Sequence, residues 1–208
     1  MISVFPLIKM SSLHQYPDPS KSNYLNFTQD EIQLIEAVRV DNLDRAKKLL
    51  AVGTNPDLIP VRDEWSIIQV AVMFGQSQMI KLLLAKSSYE RFHDRDKQNR
   101  SLLHLACLSK NLETVSVILR HREIVGGVEI LDWVDAFGNT ALHYARAFGN
   151  HDIAIKLIVF GANSFIKNNA GRRAKDEPEA EKKVKEFEKL IEDTIAQEKM
   201  DGDQAVDK

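Results

Sequence analysis

Three stretches of this chain align without a gap: Glu64-Trp-Ser-Ile-Ile-Gln-Val-Ala-Val-Met-Phe-Gly75, Asn99-Arg-Ser-Leu-Leu-His-Leu-Ala-Cys-Leu-Ser-Lys110 and Gly138-Asn-Thr-Ala-Leu-His-Tyr-Ala-Arg-Ala-Phe-Gly149. An alanine marks the same slot in each, at Ala71, Ala106 and Ala145, and Ala37 in Leu34-Ile-Glu-Ala37 fills it upstream. The alanines are spaced by 34, 35 and 39 residues, and Gly171-Arg-Arg-Ala174 repeats the opening of Gly138-Asn-Thr-Ala141 after 33. A self-similarity of this period is the mark of a repeat architecture.

Each unit carries a second apolar stretch: Ala46–Leu50, Met79–Leu84, Val115–Leu119 and Ile153–Ile158. The apolar positions follow helical spacing, so every unit reads as two short helices joined by a tight turn. Helices this short do not stand alone in water. Stacking one unit on the next is what buries their apolar faces, and the spacing therefore predicts an all-α solenoid.

These residues resemble the ankyrin-repeat family, whose unit of about 33 residues opens Thr-Pro-Leu-His-x-Ala. The segment Gly138-Asn-Thr-Ala-Leu-His143-Tyr-Ala145, followed by Gly149-Asn and Phe160-Gly-Ala-Asn163, is the nearest match. Ser101-Leu-Leu-His104-Leu-Ala106 keeps the pattern, and Ser66-Ile-Ile-Gln69-Val-Ala71 replaces His with Gln. The first unit lacks the motif but ends Gly53-Thr-Asn-Pro-Asp-Leu58. The resemblance implies repeats over about 28–60, 61–94, 95–133 and 134–166, with a partial unit over 167–176. Thr or Ser can cap the first helix, and the histidine three residues later can bond that hydroxyl and nearby backbone.

The ends read differently. Residues 1–27, with Pro6, Pro17 and Pro19, are expected to form a flexible arm. Thr28-Gln-Asp-Glu31 has the form of a capping box. Ala180, Val184, Phe187, Ile191 and Ile195 recur at helical steps, which predicts a C-terminal capping helix over 177–199, followed by an acidic tail over 200–208. The longer spacing between the third and fourth units places an insertion in His121–Leu131, where Gly126-Gly127 favours a turn. This loop and the C-terminal helix are alternative contact sites.

Composition narrows the function. The net charge is −2, with 28 basic and 30 acidic side chains, so no global basic field points to nucleic acid or an anionic membrane. Residues 175–208 hold 12 acidic and 7 basic side chains. The one cysteine, Cys107, allows no disulfide within the chain. No apolar run reaches the length of a membrane span. The start of the chain lacks the basic residues of an export signal, so an intracellular, cytoplasmic protein is expected. No phosphate loop, nucleophile elbow or metal-binding spacing is present in the sequence. His104 and His143 fill a structural repeat slot. The chain therefore reads as non-enzymatic, with no cofactor and no metal, and acting as a monomer on a protein partner.

Ankyrin-like proteins bind partners on the concave face, formed by hairpin tips and the exposed side of each first helix. Carried onto matching positions, the resemblance places tip residues at Arg62, Asp63 and Trp65, at Arg95, Lys97, Gln98 and Arg100, and at Ala136, Phe137 and Asn139. It places helix residues at Met73 and Phe74, Leu108 and Ser109, and Ala147 and Phe148. Aromatic and methionine side chains are enriched at binding hot spots, so Trp65, Met73, Phe74, Leu108, Phe137 and Phe148 are expected to form an apolar strip, with Arg95, Lys97 and Arg100 as a basic tip beside it. Two further readings remain open: a regulatory subunit or inhibitor of one enzyme, and a secreted bacterial effector with a C-terminal signal in Glu186–Glu198.

Overall fold

The structure is a computed structural model, and it describes residues 27–59, 65–124 and 130–176. The expected N-terminal arm (save Phe27), the C-terminal helix over 177–199, the acidic tail and the Glu186–Glu198 segment lie outside the described residues, as does the middle of the insertion.

Among the described residues eight α-helices form four antiparallel pairs: α1 (Gln29–Arg39) with α2 (Leu43–Ala51), α3 (Ile67–Met73) with α4 (Ser77–Leu84), α5 (Leu102–Ser109) with α6 (Leu112–Ile124), and α7 (Ala141–Ala147) with α8 (His151–Val159). The first helices of the pairs form an inner layer, α1 against α3, α3 against α5 and α5 against α7; the second helices stack likewise as an outer layer. Short 3-10 turns at Tyr89–His93 and Ala174–Asp176 complete the described elements, the latter packed on α7. The architecture is the all-α repeat solenoid that the sequence implies.

The inner helices are buried almost all round, which is why their sequence lacks a polar face. Every residue of α3 is buried, and so are six residues of α5 and six of α7. Ala37, Ala71, Ala106 and Ala145 are each at most 1% exposed. At that column a larger side chain would have to push successive helices apart, at a cost of about 1–3 kcal/mol. The outer helices are amphipathic, with Leu49, Leu50, Ile80, Leu83, Ile118, Leu119 and Leu157 directed into the same core.

The turn between the paired helices needs a left-handed residue. Gly75 and Gly149 occupy it at φ 69° and 67°, while Asp41 and Lys110 adopt the same conformation at φ 54° and 57°. The insertion between the third and fourth units is spent partly on helix: α6 runs for 13 residues, against 9 in α2 and in α8. The insertion expected over His121–Leu131 thus begins as helix as far as Ile124, and the turn expected at Gly126-Gly127 lies outside the described residues. Ile130 and Leu131, at the end of the segment, return to the core.

Candidate interaction surface

Each of the three described tips, at 95–100, 134–139 and 167–172, is built around one buried side chain that gathers backbone N–H groups. Asp96 Oδ1 accepts the N–H of Gln98 and of Arg100, each at 2.9 Å. Asp135 Oδ1 accepts those of Phe137 and Asn139, each at 2.8 Å. Asn168 Oδ1 accepts those of Ala170 and Arg172, each at 3.1 Å. The opposite edge closes by backbone bonds from Asp96 to Arg100, Asp135 to Asn139 and Asn168 to Arg172.

Successive tips are also joined to each other. The N–H of Ala136 donates to the carbonyl of Gln98 at 2.9 Å, and that of Asn169 to the carbonyl of Phe137 at 3.0 Å. Below the tips, the N–H of Ser101 donates to His104 Nδ1 at 3.2 Å, so this nitrogen carries no proton. His104 Nε2 then donates to the carbonyl of Asn139 in the next unit, 2.9 Å away. Thr140, His143 and the carbonyl of Arg172 repeat the arrangement at 3.2 and 3.0 Å. Burial holds the His104 imidazole down to about pKa 4, even though the Asn139 carbonyl and the charge of Asp135 act the other way. His143 is depressed in the same direction and for the same first reason.

At the opposite end of the inner helices a second column reaches backwards. Gln76 Nε2 donates to the carbonyl of Val38 at 2.8 Å, Asn111 Nδ2 to that of Gly75 at 3.0 Å, and Asn150 Nδ2 to that of Cys107 at 3.3 Å. The frame is thus tied between units at both the tips and the helix–helix turns, largely by groups that leave the surface positions unused.

The expected strip divides on this frame. Phe74 and Phe137 are 46% and 37% exposed, and Trp65, Leu108 and Phe148 are half-buried against the core. Lys97 is exposed, and Gln98 and Arg95 are partly so. Arg62 and Asp63 lie outside the described residues. Three expected surface residues are not at the surface. Met73, at the last turn of α3, is 8% exposed within the core. Arg100 folds back onto Asp96, with Nε and Nη2 each 2.6 Å from Oδ2, and is 5% exposed. Asn139 is 1% exposed because its amide spans two tips, donating to Asp135 Oδ2 and accepting from Asn168 Nδ2. The slots of Arg100 and Asn139 belong to the hairpins, but a local partner draws each polar group inwards, while Met73 packs into the core.

Other residues enter the surface that motif matching passed over. Val40, 62% exposed, stands in the slot of Phe74 and Phe148 and carries the apolar line into the first unit. Lys110 Nζ lies 5.7 Å from the Phe148 ring centre, across the boundary between units. The Arg95 guanidinium stacks 4.2 Å from the Trp133 ring centre and donates to the carbonyls of Asn99 and Val134, each at 3.1 Å. Arg95 therefore clamps neighbouring tips as well as charging them. The signal for Trp133 was its place just before Asp135; the signal for Val40 was its offset from Ala37.

Two reactive groups near this surface are engaged or enclosed by the frame. Tyr144 donates to Asp135 Oδ2 at 2.7 Å, and burial, followed by that bond, pushes its phenol up. Cys107 is fully buried, which raises its thiol and makes it inert. Among the described residues no cluster of His, Cys, Asp and Glu could hold a metal ion, and no helix is long and apolar enough to cross a membrane.

Comparison with known proteins agrees with the geometry. Family models for ankyrin repeats match residues 34–129, as three copies, and residues 103–158, as many copies. An ankyrin repeat protein of Fowlpox virus (strain NVSL) is 30% identical over 139 residues, 67% of this chain and 32% of its own length. An ankyrin repeat protein of Acanthamoeba polyphaga mimivirus is 26% identical over 126 residues, 60% of this chain and 15% of its own. The chain thus spans a third or less of these two viral relatives. A Saccharomyces cerevisiae protein named as a 26S proteasome regulatory subunit, p28, is 28% identical over 179 residues, 84% of this chain and 72% of its own. With two family models spanning residues 34–158 and the inter-unit histidine bonds in place, the chain belongs to the ankyrin-repeat family.

Proposed function

We propose that this chain is a non-enzymatic protein-interaction module that holds a partner against its tips and the ends of its inner helices. The observation that carries the reading is the exposure of Phe74 and Phe137 on a frame whose tips are already bonded to one another. Aromatic side chains are enriched among binding hot spots, and a pre-ordered surface loses little entropy on docking. The predicted anchors are Trp65, Phe74, Phe137 and Phe148. An intracellular, cytoplasmic setting fits a chain whose one cysteine is a buried free thiol.

The test compares the full chain with a Phe74→Ala, Phe137→Ala variant of unchanged helicity, using partners captured from native lysate and identified by mass spectrometry. A partner retained by the wild type and weakened about tenfold or more by the variant supports the reading. A partner held equally by both moves the site to the insertion or to the segment beyond Asp176.

A regulatory subunit is a second reading, favoured by the match along 84% of this chain to the yeast proteasome subunit. It requires one dominant partner. Co-purification with the 26S proteasome in stoichiometric amount supports it, and several partners separable by repeat oppose it. Delivery as a bacterial effector rests on residues 186–198 and is tested by loss of translocation on their deletion.

A further inference from the structure

The tips and inner-helix ends of the third, fourth and partial fifth units are predominantly basic, with one exposed carboxylate, Asp152, sharing a surface cavity with Lys110. Residues 95–100, 134–139 and 167–172, with 108–110 and 147–149, contain Arg95, Lys97, Arg100, Lys110, Lys167 and Arg172. The same windows contain two carboxylates, Asp96 and Asp135, which are 8% and 3% exposed and face inwards onto backbone N–H groups. Asp96 cancels Arg100 at 2.6 Å. Lys97, Lys110 and Lys167 are exposed. Arg95 gives its hydrogen bonds to carbonyls, which leave its charge uncancelled. This segregation stands out in a chain whose net charge is −2.

The cations are interleaved with apolar side chains. Phe137 lies between the tips that carry Lys97 and Lys167, and Phe148 lies under Lys110. A surface of this kind repels a basic partner and desolvates an apolar one only where the charges are answered.

We infer that the occupant of this face is an acidic protein segment whose carboxylates alternate with apolar side chains, the carboxylates meeting Lys97, Lys110, Lys167 and Arg172 and the apolar groups resting on Phe137 and Phe148. The inference rests on the interaction reading above and specifies its partner. Charge complementarity of this sort sets specificity and association rate. A nucleic acid fits less well. Two of the arginines are engaged within the tips, and a chain of net charge −2 offers no extended basic field to a phosphate backbone.

The test uses the full chain as bait for a phage-displayed library of random peptides about 16 residues long. A second selection uses a Lys97→Glu, Lys110→Glu, Lys167→Glu variant, whose three positions are exposed, so that the fold is retained; a Lys→Gln version stands in if helicity changes. The expected pool for the wild type is acidic and contains aliphatic or aromatic residues. The variant is expected to lose those peptides by tenfold or more. The affinity of a synthesised wild-type binder should fall several-fold as salt rises from about 0.05 to 0.3 M, as the Debye length shrinks.

Neutral or basic peptides enriched by the wild type, and lost on Phe74→Ala, Phe137→Ala, would overturn the acidic partner while keeping the interaction surface. Acidic peptides that bind the charge-reversed variant equally well would also overturn it. So would tighter binding of a single-stranded RNA of about 20 nucleotides that displaces the peptide. An absence of enrichment by either bait over bare beads would reject both the acidic partner and the surface.

Discussion

His104 of α5 and Asn139 of the following tip are joined by one hydrogen bond of 2.9 Å, from a buried imidazole N–H to a buried backbone carbonyl. The same bond links His143 to Arg172. In the second unit Gln69 stands in this slot. Its Oε1 accepts the N–H of Ser66 at 2.8 Å, but its Nε2 is buried with no partner. The amide is too short to reach the next unit from that position.

Gln69→His should therefore stabilise the chain. An imidazole would keep the bond to Ser66 and place its second nitrogen towards the carbonyl of Arg100, the counterpart of Asn139. One orphaned donor removed and one bond gained correspond to about 1–2 kcal/mol. An increase in the urea midpoint at constant slope would bear this out; an unchanged or lower midpoint would show that the ring does not fit.

Acid should weaken the fold before most carboxylates titrate. His104 has a folded pKa of about 4, below the ordinary value of 6.5, so between these limits the unfolded chain binds the extra proton. Stability is then complete above about pH 6.5 and falls as pH drops towards 4, each pH unit costing up to about 1.4 kcal/mol for this residue. His143 is depressed too and adds to the slope. Asp176, held at about 2 by hydrogen bonds from Arg173, contributes below its usual 3.8, outside this window. Denaturation midpoints from pH 7.5 to 4.5 should fall steeply for the wild type and less for His104→Gln; equal slopes would reject the assignment.

Gly138 and Gly53 offer a matched pair. Both have positive φ, 76° and 93°. A Cβ on Gly53 meets nothing within 4 Å, whereas one on Gly138 would lie 2.5 Å from Asn169 Oδ1 and 2.8 Å from its backbone nitrogen. Gly53→Ala should cost about 1 kcal/mol from backbone strain alone. Gly138→Ala should cost at least about twice that, because it also breaks the bond between the last two tips. Similar losses in thermal denaturation would mean that the tip contact contributes little.

Cys107 should report unfolding. It is completely buried and its thiol is raised by that burial. A thiol reagent at neutral pH should leave the native chain unlabelled and modify it only at the rate of opening. Rapid stoichiometric labelling without denaturant would place the thiol in a loosely packed unit.

The sequence made the solenoid legible because the column of alanines and the Ser/Thr-x-x-His spacing are themselves packing constraints. Ala106 and His104 admit few alternatives once neighbouring helices touch. The surface was harder to read. Phe74 and Phe137 stand where the motif places them, but Arg100 and Asn139 do not, because each finds a carboxylate four residues back. That choice depends on how tightly the tip closes, which residue spacing does not encode. Nor does spacing distinguish Met73, drawn into the core, from Phe74 beside it, which is left outside. Val40 was missed because the first unit lacks the motif from which the offset was counted, and Trp133 because its slot carries no motif letter.

The bonds from Ala136 to Gln98 and from Asn169 to Phe137 run entirely through backbone atoms. The side chains of Gln98, Ala136 and Phe137 take no part in these two bonds, whereas Asn169 Nδ2 adds a bond of 3.3 Å to the carbonyl of Ala136. Gln98, Ala136 and Phe137 could be exchanged for other residues while the register between units stayed put. On the interaction reading proposed above, partner choice would drift by single substitutions at the tips, with the scaffold inherited unchanged beneath them.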